Sequence, residues 1–125
     1  MYDKDLKTEV AQQCASILES KGFEKIKTNA EGFEKPKGFA NKNSGEKVIP
    51  DITAVKNGSK NYFEIINRKN KEKIDEIKSK WLFLSTLAGH KGGKLYLIVT
   101  NGHMSYTTKI LKQIPVEPEI LKVGY

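Results

Sequence analysis

The chain has little of the chemistry that usually gives a protein away: one cysteine, one arginine, two histidines and one tryptophan in 125 residues. Cys14 alone permits neither an internal disulfide nor a cysteine-based metal site, and it fits a reducing, intracellular (cytoplasmic) compartment. No apolar run approaches the ~20 residues needed to span a bilayer, so no transmembrane helix is expected. The first ten residues, MYDKDLKTEV, are polar and lack the apolar centre of a signal peptide. No internal repeat and no linker divides the sequence, and its length suits a single domain over 1–125 with one core.

What the chain does have is positive charge. Twenty-two basic residues stand against 15 acidic ones, a net +7, and Arg68 is the single arginine. Such an excess favours polyanions, nucleic acid or an anionic membrane. Lysine is a point charge and a poor bidentate reader of base edges, so phosphate contact is expected rather than base readout. The competing explanation is a lysine-rich surface that only keeps the protein soluble.

Apolar spacing locates the elements. Leu6, Val10, Cys14, Ile17 and Leu18, with Ala11 on the flank, predict an amphipathic helix over 4–21, capped by Asp3 or Asp5 and ended by Lys21-Gly22. Cys14 on that stripe reads as a small core residue. Residues 23–28, FEKIKT, alternate as a half-buried strand. The stretch 29–47 holds Gly32, Gly38, Gly45 and Pro36, and reads as a flexible functional loop or a wide hairpin. Phe33 and Phe39 lie in it among lysines, either to meet a nucleic-acid backbone or to pack on the sheet. Asn70 is expected to cap a second helix over 71–89, with Ile74, Ile77, Trp81, Leu84, Leu87 and Ala88 buried. His90 reads as a partner for that helix's dipole. LYLIV, 95–99, predicts a covered strand. Asn101-Gly102 then predicts a turn into a last strand over 103–108. The tail from Ile110, with Pro115 and Pro118, reads as a cap or a subunit contact.

The stretch 49–69, IPDITAVKNGSKNYFEIINRK, organises the rest. It reads as two strands joined by Lys56-Asn57-Gly58-Ser59, whose Asn-Gly pair tolerates the positive φ of a tight hairpin. Asp51, Thr53 and Val55 share one face of the first strand; Tyr62, Glu64 and Ile66 share one face of the second. Two carboxylates brought together on adjacent strands form a hard oxygen site of the kind Mg²⁺ or Mn²⁺ prefers. The expected fold is α/β: a mixed sheet with a helix on each face, the second helix crossing over into a central strand.

Ile49-Pro50-Asp51 leading a hydrophobic strand, the Asn-Gly turn and Glu64 in the next strand resemble the PD-(D/E)xK nuclease superfamily, in particular the archaeal-type Holliday junction resolvases. The likeness runs back through Lys21-Gly22-Phe23 and forward through Asn67-Arg68-Lys69, covering roughly residues 6–100. It implies a restriction-endonuclease-like fold, metal-dependent cleavage of branched or duplex DNA, a homodimer and no membrane partner. In that family an aspartate, a glutamate and the carbonyl after the glutamate hold the metal. A lysine two positions beyond the glutamate positions the attacking water, and a first-helix glutamate often completes the metal's ligands. Asp51 and Glu64 match, and Ile65 would give the carbonyl.

Two parts depart from the pattern. Ile66 occupies the lysine position, and Ala11 occupies that of the helix glutamate. One reading moves the lysine to Lys69, Lys71 or Lys73 and the helix carboxylate to Glu9 or Gln12. The other is a nuclease-fold relic that binds DNA or a protein partner without cutting, an adaptor. Ile66 tips the expectation toward an incomplete, weak or inactive centre, since a carboxylate beside a buried isoleucine needs a nearby cation to stay ionised. For DNA binding the candidates are Lys56, Lys60, Arg68, Lys69, Lys71 and Lys73, with Lys35, Lys37 and Lys42 on the long loop.

Overall fold

A computed structural model describes residues 3–40, 45, 47–66 and 73–124, with side chains from Thr8 onward. Helix α1, Asp3–Ser20, buries Val10, Cys14 and Leu18 one turn apart, with Ala11 and Ala15 between them. Strand β1 is Glu24–Thr28. The long stretch that follows is a hairpin: β2, Phe39–Ala40, pairs antiparallel with β3, Lys47–Val48. The Phe39 ring lies 5.9 Å from that of Tyr62 and 6.4 Å from that of Phe83, so it packs inward. Strands β4, Ile52–Lys56, and β5, Ser59–Ile66, form the central hairpin. Its turn residues Asn57 and Gly58 have φ of 53° and 80°, the positive pair a tight hairpin needs. Helix α2 is Ile74–His90 and β6 is Leu95–Val99. Helix α3, Met104–Leu111, and strand β7, Glu119–Lys122, complete the chain.

The five-stranded mixed sheet runs β1-β4-β5-β6-β7, antiparallel from β1 to β5 and parallel from β5 to β7. Helix α2 makes the crossover from β5 to β6. Alternation along the strands splits the core in two. On one face Ile52, Ala54, Phe63, Ile65 and Ile98 meet Val10, Cys14 and Leu18 of α1. On the other, Tyr62, Ile66, Leu97 and Val99 meet Trp81, Leu84 and Ala88 of α2 and Ile110 of α3. The expected helix on each face is present, with a third helix beside α2. No helix among the described residues is long and apolar enough to cross a membrane.

Three expectations are corrected. The segment 103–108 is helical, not a strand: Thr107 and Ile110 are buried three residues apart, and the Thr107 hydroxyl donates to the His103 carbonyl at 2.8 Å. Six residues of mixed polarity suit either period, and the side chains that reach the core decide. The tail is no mere cap; it forms β7, which pairs parallel with β6 from Tyr96↔Glu119 to Val99↔Lys122 and sends Val123 into the α1 core. Helix α2 starts at Ile74, later than expected, with Lys73 at its N-cap and no side-chain cap. Ile74 is 41% exposed, because the buried stripe opens one turn later at Ile77. Asn70 lies outside the described residues.

Cys14 is a core residue, and burial pushes its thiol from 9.0 up to about 11. Between those values the unfolded thiol has lost its proton while the folded one keeps it. The unfolded state then binds fewer protons, and stability falls as pH rises. Two units correspond to about 2–3 kcal/mol. Burial also raises Tyr62 and Tyr96 above 10.0, with the same sign. Urea midpoints measured at pH 8 and pH 10.5 should therefore drop for the native chain and drop less for Cys14→Ala.

Candidate active site

Asp51 precedes β4 by one residue. Continuing the register Thr53↔Tyr62, Ile52↔Phe63 by one step sets it opposite Glu64. The two residues are laced together through backbone amides. The Asp51 N–H donates to Glu64 Oε2 at 2.9 Å, and the Ile65 N–H donates to Asp51 Oδ2 at 2.8 Å. The Thr28 hydroxyl donates to the Asp51 carbonyl at 3.1 Å, tying β1 to the same point. Pro50 before it is fully buried. The carboxylates therefore sit at a fixed strand junction.

Glu64 is 4% exposed, on the α2 side of the sheet with Tyr62 and Ile66. A carboxylate so placed needs a cation. Lys80 supplies it from α2: its Nζ lies 2.9 Å from Glu64 Oε1, and its side chain is 18% exposed. Lys80 is not among the candidates named from the sequence, and Ile66, two positions beyond Glu64, is buried at 4% exposure.

No protein-family model, curated protein or solved structure matches this chain.

A signal for Lys80 does exist in the sequence. It falls three residues after Ile77 and four before Leu84, on the buried stripe of α2. A lysine on such a stripe needs an anion within reach, and the opposed Glu64 is that anion.

The other candidates divide. Lys69, Lys71, Arg68 and Lys42 lie outside the described residues. Lys73 is exposed at the start of α2, and Lys35 and Lys37 are exposed before β2. Lys56 lies 5.0 Å over the Phe23 ring, toward the α1 side, whereas Lys60 lies over Phe39 and Tyr62 at 5.9 and 5.6 Å. Adjacent in the hairpin, they are not one patch. Ala11 is buried at 3% exposure, and Glu9 and Gln12 are exposed on α1. Among the described residues no three His, Cys, Asp or Glu side chains gather as a metal site.

Asp51 and Glu64 nevertheless fit a hard divalent cation as oxygen donors. An ionised carboxylate offers about four lone-pair sites, so protein donors and a cation can share one. Amide donors behind the carboxylates would hold their orientation, as outer partners do at metal sites.

Proposed function

We propose that the chain is a DNA-binding protein on the PD-(D/E)xK nuclease fold, of the archaeal-type Holliday junction resolvase kind. Asp51, Glu64 and Lys80 are its phosphodiester-cleaving centre. One observation carries this reading: Lys80 reaches Glu64 at 2.9 Å, bringing from α2 the lysine that the strand motif lacks. The order of elements supports it too, since the carboxylate-bearing antiparallel hairpin leads through a helix into a parallel neighbour strand.

In this reading Asp51, Glu64 and the Ile65 carbonyl would hold Mg²⁺ or Mn²⁺. When bound, the metal supplies Lewis acidity and a lower pKa for the attacking water. Glu64 anchors Lys80, whose ammonium would orient that water. The Ile65 N–H fixes Asp51 Oδ2, and the Asp51 N–H fixes Glu64 Oε2, so both carboxylates keep their aim. The homodimer is part of the same proposal, because a symmetric junction is cut at two related positions.

The test is cleavage of labelled four-way-junction and linear duplex DNA with Mg²⁺ or Mn²⁺, with Asp51→Asn alongside. Cleavage that vanishes in the variant is the expected result. A second reading, a binding relic or adaptor that does not cut, draws on the protein donors already on both Glu64 oxygens. No cleavage together with salt-sensitive binding would select the relic; neither cutting nor binding would select the adaptor.

A further inference from the structure

The far end of the same sheet face gathers positive charge from four separate elements. Lys60 is the second residue of β5 and shares a face with Tyr62 and Glu64. Lys27 of β1 pairs with Thr53 across β4, on that face as well. Lys37 leads into β2, whose Phe39 ring lies under the Lys60 ammonium. Lys91 follows α2, in a turn pressed against the start of β5. There a Cβ on Gly92 would come within 3.3 Å of the Ser59 hydroxyl, and one on Gly93 would collide with the Lys60 carbonyl. Glycine at 93 is what lets this turn, and Lys91 with it, approach Lys60.

We propose that Lys27, Lys37, Lys60 and Lys91 form a phosphate-binding subsite for the backbone of a DNA strand that reaches the Asp51–Glu64 pair from the turn end of the hairpin. The proposal rests on the nucleic-acid reading above and adds where the strand lies. Lys60 lies four positions before Glu64 in β5, roughly 13 Å at ~3.3 Å per residue. A ligand that spans from the lysines to the carboxylates over that distance is a polymer of regularly spaced charges rather than one small anion. At ~3.4 Å of axis per phosphate on each strand it corresponds to about four base pairs.

The electrostatics agree. Burial, then the charges of Lys27, Lys91 and Lys37, lower the affinity of Lys60 for its own proton. A bound phosphate would relieve that repulsion. Glu34 offsets Lys27 only in part, at 3.8 Å and with its side chain 81% exposed. A membrane is the poorer partner, because only three large apolar side chains, Ile49, Ile74 and Ile120, stand exposed for insertion among the described residues.

The experiment measures binding of a 20-base-pair duplex in EDTA, so that cleavage plays no part, from 50 to 200 mM salt. Lys60→Gln/Lys91→Gln is compared with Lys109→Gln/Lys112→Gln, which removes the same charge from exposed lysines at the end of α3. The first pair should weaken binding roughly tenfold and flatten the log–log salt slope by about 1.8, at ~0.9 per phosphate contact. The control pair should stay within about twofold. Equal losses in both pairs would overturn the subsite, leaving only a net-charge effect. So would an unbound duplex, or selective capture of phosphatidylserine vesicles. A subsite that fails while Asp51→Asn still abolishes cleavage is thereby told apart from a failed nuclease reading.

Discussion

Lys80→Gln is expected to slow Mg²⁺-dependent cleavage of four-way-junction DNA by about 10²–10⁴-fold, the usual contribution of a group that positions or moves a proton in the reaction. Duplex binding in EDTA should change by less than about threefold, because a side chain 18% exposed and held by Glu64 has little charge to offer a phosphate outside. Asp51→Asn should abolish cleavage. Its amide oxygen can still accept from the Ile65 N–H, so that loss would report a missing anionic ligand rather than a collapsed strand junction. Lys69→Gln, Lys71→Gln and Lys73→Gln are the necessary comparison, since the sequence motif points to them. Normal cutting by Lys80→Gln with lost cutting in one of these three would move the lysine role away from α2.

The central hairpin was legible because its signals are local: an Asn-Gly pair that tolerates positive φ, with flanking strands whose side chains alternate between the two faces. From that register the opposition of Asp51 and Glu64 followed directly. Helix α3 was not legible, because its eight residues fit two periods and only the burial of Thr107 and Ile110 selects one. Strand β7 was missed for another reason. Pro115 and Pro118 dominate the tail locally, while the strand exists only through its pairing with β6. Tertiary contacts overrode a local breaker. Lys80 lies between these cases. Its place on the buried stripe of α2 could be read from spacing, but its partner sits 16 positions earlier, across the sheet–helix interface. Lys69, Lys71 and Lys73 lie nearer the motif in the sequence and so stand in front of it.

Lys80→Met should destabilise the fold by about 3–5 kcal/mol at pH 7, read from the urea midpoint, because it strands the Glu64 carboxylate in a buried site. Glu64→Gln should cost less, since the longer lysine side chain can turn its ammonium toward water. Glu64→Leu combined with Lys80→Met should recover most of the loss, as an apolar pair of similar volume often matches or exceeds a buried ion pair. Additive single effects would mean that the two charges do not depend on each other. Magnesium then separates the structural role of the pair from the proposed chemical one. If Asp51 and Glu64 hold a divalent cation, Mg²⁺ should stabilise Lys80→Met more than the native chain, because the metal neutralises the charge that the lysine left behind. If Glu64 serves only as an internal counter-ion, Mg²⁺ will leave the variant as unstable as before, and the carboxylate pair loses its claim to be a metal site.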